Sequence, residues 1–429
     1  MVFYYGSAIE TDQRIFFHSA AHFENVDYHS FAPLLMLKHE IGAFQKLPKN
    51  PVLEPSNFGW DRKDVSDPFV MVTPDSIYLY YDGSDNNGYK IGYAVLDPSG
   101  WKWQKRKKIF PKANNGWDNY HQINPTPLIY KNQFRIYYSG NDSDSEFGYQ
   151  VGMAIKEANS QWQYPSRLPV LGIDSTAWDF AGIIYADVHY FPGADIFKMW
   201  YTGFQGPLSA IGLAESRDGI SWKKVGDEPV FNIFPGVIAP EVIFNGEKYT
   251  MYFTQLVYDD GLKTFISRTE SEDGINWNGV EPILKPELRW ESSKLMKPNL
   301  SYFDGRVHLY YCAQKGSTWR IGAATADALF EPEGTWRSHR IKSKADWVSF
   351  VSESPEGTDI SVALIDTELS KKYELSMSGY SKELRTGVLE KKMLLPDSLN
   401  LNHWQIELGL QSKIENRSPV IYELRIGSK

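Results

Sequence analysis

The stretch Phe69-Val-Met-Val-Thr-Pro-Asp-Ser-Ile-Tyr-Leu-Tyr-Tyr81 decides the fold. An apolar run, a Thr-Pro-Asp turn and a second run ending in two aromatics predict a pair of tightly joined antiparallel strands. After Tyr80-Tyr81 the pattern returns four times, with doublets at Tyr137-Tyr138, Trp200-Tyr201, Tyr252-Phe253 and Tyr310-Tyr311. The intervals run from 52 to 63 residues. Repeats of short strands at such a spacing predict a β-propeller, with units longer than the usual blade of about 40–50 residues. The expected fold is all-β. A five-bladed propeller spans 46–340, a small β-sandwich-like unit spans 341–429, and the N-terminal segment 1–45 packs with the latter.

Each unit continues into a third strand with a recurrent glycine, as in Ile91-Gly92-Tyr93-Ala94, Ile211-Gly212-Leu213-Ala214 and Ile321-Gly322-Ala323-Ala324. Glycine there implies close packing against a neighbour. Two units then share Ser-x-Asp-Gly-x-x-Trp, at Ser216–Trp222 and Ser271–Trp277, which reads as a turn followed by a capping Trp. Strand direction places the loops between second and third strands on the same face as the entries to the inner strands. Those loops are polar and acidic, as in Asp82–Asn87 and Ser139–Asp144.

Composition narrows the partners. A formal net charge of −8 argues against nucleic acid and against anionic membrane surfaces. The single cysteine, Cys312, excludes an intrachain disulfide framework and reads as a small apolar residue. His18, His22 and His29 have no acidic or cysteine partners at ligating spacing, so neither metal nor cofactor is expected. Met1–Gly6 shows no secretory pattern, which gives a cytoplasmic expectation. The alternating segments Ser361–Ile365 and Trp404–Leu410 give the C-terminal unit its sandwich-like reading.

The inner-strand entries carry the polar residues that point toward a central channel. They read Trp60-Asp61 with Ser66-Asp67-Pro68, Trp117-Asp118 with Asn124-Pro125, Trp178-Asp179 with Ala186-Asp187, Phe234 with Ala239-Pro240-Glu241, and Trp290-Glu291 with Lys297-Pro298. Asp67, Asn124, Asp187, Glu241 and Lys297 are expected to ring one small cavity. Trp60, Trp117, Trp178 and Trp290 wedge between blades or stack on a sugar ring. Asp61, Asp118 and Asp179 then accept hydroxyls, and His121 is a further binding candidate.

Taken together, Asn50-Pro51-Val52-Leu53, the Trp-Asp and Asp-Pro entries, the Tyr-Tyr-x-Gly strand, the Ile-Gly-x-Ala strand and Ser-x-Asp-Gly-x-x-Trp resemble the five-bladed glycoside hydrolase propellers. These are the arabinanase/xylosidase group, glycoside hydrolase family 43, with its invertase-like and mannoside-phosphorylase-like relatives. The resemblance covers about 46–340. It implies carboxylates from successive blades acting as base or nucleophile, as pKa modulator and as general acid. On that basis Asp67, Asp187 and Glu241 are the expected catalytic groups. The chain departs from the pattern at two places, with Asn124 where a second Asp would precede Pro and Ile238 where the acid would precede Ala-Pro.

Three functions compete. The first is a glycosidase acting on an oligo- or polysaccharide. The second is a sugar-binding propeller that has lost its acid. The third is a transferase or phosphorylase in which Lys294 and Lys297 form a positive wall for an acidic or phosphorylated sugar.

Overall fold

The computed structural model describes 12–15, 20–24, 26–29, 34–37 and 39–427, apart from 98–101, 107–108, 110–115, 131–132, 158–159, 192–193, 246, 339, 342–344, 377–379, 396–403 and 415–416. His18 and the side chains of His22 and His29 lie outside the described residues, as do parts of the turns at 131–132, 192–193 and 246. Every regular element among the described residues is a β-strand.

Five small antiparallel sheets account for the repeat. Their inner strands are Asp64–Val72, His121–Tyr130, Gly182–Phe191, Val237–Phe244 and Leu295–Phe303. Each pairs with a second strand carrying the aromatic doublet, and that strand with a third. The inner strands touch one another in a closed circuit, with Leu295–Phe303 against Asp64–Val72. The outermost strand of the fifth sheet, Gln45–Lys46, comes from before the first sheet and pairs with Ala324 and Thr325. This is a propeller-type arrangement.

A second repeated geometry sits within each inner strand. The register slips once per strand, at Ser66/Phe69, Ile123/Thr126, Ile184/Asp187, Ile238/Glu241 and Met296/Asn299. At each slip one non-glycine residue is left-handed: Asp67 (φ 48°), Asn124 (55°), Tyr185 (56°), Ala239 (56°) and Lys297 (52°). A bulge re-aims the side chains that flank it. Here it sorts the channel-lining residues into two layers.

The Trp-acid pairs lie inside the sheets, which corrects their reading as sugar contacts. Tyr81, Tyr138, Tyr201 and Tyr311 donate to Asp61, Asp118, Asp179 and Glu291 at 3.0, 2.7, 3.0 and 2.8 Å. All four acids are buried. Lysine completes three of the clasps, Lys105 on Asp61 (2.7 Å), Lys224 on Asp179 (2.6 Å) and Lys46 on Glu291 (2.7 Å). Trp60, Trp117, Trp178 and Trp290 stack on the same tyrosines at 5.4–6.2 Å between ring centroids. The fourth sheet has Phe253 in place of Tyr and no acid at its Phe234 entry, so tyrosine and acid are missing together.

The recurrent glycines make room for this stack. A Cβ on Gly212 would lie 2.3 Å from Tyr201 Cζ and 2.5 Å from its hydroxyl. Gly212→Ala is therefore expected to cost about 1–3 kcal/mol by overpacking, measured as a lower denaturation midpoint with unchanged slope.

The remaining strands form a two-stranded sheet, His39–Ile41 with Ala328–Phe330, and two larger sheets. One runs Val26–His29, Leu34–Leu37, Val420–Gly427, Trp347–Glu353, Val388–Leu394, Tyr380–Arg385, with Asp12–Ile15 also on Val420–Gly427. The other runs Ala20–Glu24, Glu333–Ser338, Trp404–Ser412, Thr358–Asp366, Lys371–Glu374. Trp404, Ile406, Leu408 and Leu410 alternate inward and are buried. Glu333–Ser338 pairs with Trp404–Ser412, so this unit takes in residues N-terminal to 341.

Candidate active site

The upper layer is made by the five left-handed residues, and each is held by the sheet before it. The Asn124 amide donates to Asp82 Oδ1 (3.0 Å) and Oδ2 (3.2 Å). The amides of Tyr185, Ala239 and Lys297 donate to Ser139 (3.2 Å), Thr202 (2.8 Å) and Thr254 (3.0 Å). The Asp67 amide faces the sulfur of Cys312. The five acceptors each directly follow an aromatic doublet. Four are Ser, Thr, Thr and Cys. The first is Asp82.

That one exchange puts a second carboxyl beside Asp67. The two side chains are hydrogen-bonding neighbours. Asn124 Nδ2 also donates to Asp67 Oδ2, and the Cys312 thiol lies 3.6 Å from Asp67 Oδ1. Burial pushes both carboxyls up, Asp82 well above the usual carboxylate range, and the charge of Asp67 raises Asp82 further. Lys297 pulls both down more weakly. Two carboxyls this close cannot both ionise cheaply, so the pair retains one proton.

The sign of the pH effect follows. The native pair keeps a proton that the unfolded chain has released once pH passes the ordinary carboxylate range. Stability is therefore expected to fall as pH rises from there through the pair's own raised pKa. Asp82→Ser should flatten that slope, which denaturant titrations across pH would measure.

The pair lines a cavity of about 150 Å³ with Ser66, Tyr89, Ile123, Tyr149, Tyr185, Met296, Cys312 and Trp319. An engineered cavity of about this volume holds benzene, so one six-membered ring is a reasonable measure of its capacity. Of the expected site residues, Asp67 alone is on the lining. Asn124 touches it from behind, through Asp67.

Asp187 and Glu241 are not brought together with Asp67. They stand two residues beyond the left-handed positions, in the lower layer with Thr126 and Asn299. This layer stitches inner strand to inner strand. Asp187 Oδ2 accepts from Val242 N (2.7 Å) and contacts His189 Nε2 (2.8 Å). Glu241 Oε1 accepts from Leu300 N (3.2 Å) and Asn299 Nδ2 (2.8 Å). Asn299 Oδ1 accepts from Val70 N (2.6 Å), which joins the last sheet to the first. Both acids are 1% exposed, and burial together with Asp187 holds the Glu241 carboxyl well above its usual range. Lys297 is also 1% exposed, and its charge acts on the carboxyl pair and on Glu241.

His121 supports the wall. Its Nδ1 accepts from the Tyr89 amide (3.1 Å), its ring packs 5.7 Å from both Tyr89 and Tyr149, and its Nε2 is 3.5 Å from Asp144. Burial pushes it down to about 4, so it is neutral at physiological pH.

No family model matches the sequence. A 1,2-β-oligomannan phosphorylase of a Thermoanaerobacter species is 28% identical over 233 residues, covering 51% of this chain and 73% of that one. An uncharacterised Mycobacterium tuberculosis protein is 25% identical over 255 residues, covering 55% and 82%. A solved glycoside hydrolase superposes with a TM-score of 0.56 at 19% identity, covering 65% of this chain and 92% of that chain. A second structure comes from work on glycoside hydrolases of the GH130 mannoside phosphorylase family that target β-1,2 mannosidic linkages in Candida mannan. It gives a TM-score of 0.53 at 14% identity, covering 67% and 94%. The chain has the fold of the propeller glycoside hydrolases and phosphorylases.

Within that fold, the sequence reading placed Asp82 in an acidic loop on the entry face but not among the catalytic candidates, and it missed the three tyrosines and Trp319. A signal for Asp82 was present. Aligning the residue after each doublet gives Asp, Ser, Thr, Thr and Cys, and one carboxylate among small polar residues stands out. Tyr185 carried no comparable mark, because the other left-handed residues are Asp, Asn, Ala and Lys.

Proposed function

We propose that this chain is a carbohydrate-active enzyme that cleaves a glycosidic bond, with the Asp67–Asp82 pair protonating the leaving oxygen. The propeller is five-bladed and runs from Gln45–Lys46 to Thr318–Ala326, and the sandwich-like unit, 341–429 together with Glu333–Ser338, is completed by strands from the first 37 residues. The observation that carries the reading is Asp82. Serine or threonine holds the next sheet's amide in three other sheets, so a carboxylate is not needed for that task. As the glycosidic C–O bond breaks, its electrons go to the leaving oxygen, which takes the proton shared by the pair, while a water oxygen bonds to the anomeric carbon and gives up a proton to solvent.

Phosphorolysis is a second reading, and one observation favours it. A retaining glycosidase needs a second carboxyl about 5–5.5 Å from the acid and an inverting one about 6.5–9.5 Å. Asp67 and Asp82 are in hydrogen-bond contact, and no other carboxylate is on the cavity lining among the described residues. Phosphate brings its own nucleophilic oxygen and needs no base. Lys294 is not on the lining, but it is exposed and 5.9 Å from the ring of the lining residue Trp319, where it offers phosphate a cation outside the cavity. The relative named as a 1,2-β-oligomannan phosphorylase agrees with this reading.

Turnover of an aryl glycoside panel, with and without inorganic phosphate, tests both. Cleavage in phosphate-free buffer supports hydrolysis. Cleavage only with phosphate, releasing a sugar 1-phosphate, supports phosphorolysis. Sugar binding without turnover, unaffected by Asp67→Asn and Asp82→Asn, would replace both with a non-catalytic binding propeller.

A further inference from the structure

We propose that the sugar taken into this cavity carries a free, protonated amino group; the inference rests on the carbohydrate reading above. The composition of the lining carries it. Four of the ten lining residues are aromatic: Tyr89, Tyr149, Tyr185 and Trp319. Two more are the buried carboxyls Asp67 and Asp82, and among the described residues no Lys, Arg or His lines the cavity.

Each of these features favours a compact cation. Aromatic faces attract ammonium groups, and the attraction grows when water is excluded. Tyr89 donates its hydroxyl to Asp64 Oδ2 at 2.9 Å, which makes its ring more electron-rich. The carboxyl pair supplies a counter-ion. Lys297 offsets one of its two negative charges from behind, and the other is neutralised by the shared proton when the cavity is empty. An ammonium group placed against the pair does the proton's work. In a glycoside the displaced proton goes to the leaving oxygen. A free amino sugar has no leaving group to take it, so the proton is released on binding.

Other ligand classes fit less well. A uronic acid or a sugar phosphate would set an anion against two buried carboxyls with no cation on the lining. This turns away from the acidic or phosphorylated sugar expected from Lys294 and Lys297. An N-acetylated sugar is larger than the single six-membered ring the cavity holds, and its amide brings no charge to the carboxyl pair.

Calorimetric titration of the full chain with glucosamine, galactosamine and mannosamine, alongside their N-acetyl forms, neutral parent hexoses and glucuronic acid, is the test. At least one free amino sugar is expected to bind tenfold or more tightly than its parent and its N-acetyl form. Its heat should depend on buffer ionisation in the direction of proton release. The groups facing the pair from other strands are Lys297, Cys312, Tyr89, Tyr149 and Tyr185, and Tyr185→Phe should leave the release unchanged. Asp82→Ser, which keeps an acceptor for the Asn124 amide, should abolish both the preference and the release. Equal or tighter binding of a neutral or N-acetyl sugar overturns the inference and leaves the carbohydrate reading standing. Binding of none of these sugars also overturns it, and aryl glycoside turnover then decides separately on the parent reading.

Discussion

Replacing Asp82 by Asn is expected to slow cleavage of glycosides with poor leaving groups by about 10²–10⁴-fold. Dinitrophenyl glycosides should be nearly unaffected, because their leaving oxygen departs without a proton. The contrast between the two substrates isolates proton donation from binding. Asp82→Ser should give the same loss on a fully folded protein, since Ser139, Thr202 and Thr254 already hold the equivalent amides in their own sheets. Undiminished turnover of a poor leaving group by either variant would remove Asp82 from the chemistry. The pH profile adds a second readout. Donation needs the protonated pair, so the wild-type rate on poor leaving groups should decline as pH rises through the pair's raised pKa.

Asp187→Ala should do the opposite, damaging the fold and sparing the reaction. Its Oδ2 receives the Val242 amide and faces His189, both buried. Stranding the buried Val242 amide costs about 1–3 kcal/mol, with the lost His189 contact adding to it, measured as a lowered denaturation midpoint. Activity per folded molecule should persist at temperatures below the transition. Loss of turnover at full stability would return Asp187 to the candidate catalytic groups.

Aromatic doublets and turn residues made the propeller legible, because strand alternation and hairpin chemistry are local. The layering of the channel was not local. Read as a linear series, Asp67, Asn124, Asp187, Glu241 and Lys297 look like one ring. Four of the five left-handed residues precede a proline, at Pro68, Pro125, Pro240 and Pro298. Counting from that proline puts Ala239 in the upper layer and Glu241 below it. The third unit has Tyr185-Ala186 instead, so nothing in its sequence marks the slip that lowers Asp187. The Trp-acid pairs misled for a different reason. A Trp beside a carboxylate is what a sugar platform requires, and it is equally what a buried tyrosine hydroxyl requires. Only the stacking geometry separates the two.

The pairing of early strands with late ones also governs how the molecule can be built. Ala20–Glu24 waits for Glu333–Ser338, Leu34–Leu37 for Ile421, and Gln45–Lys46 for Ala324 and Thr325. A chain emerging from the ribosome must therefore carry these strands with an edge unpaired until the late strands of their sheets exist. Such distant pairings slow acquisition of the native state and lengthen exposure of sticky edges.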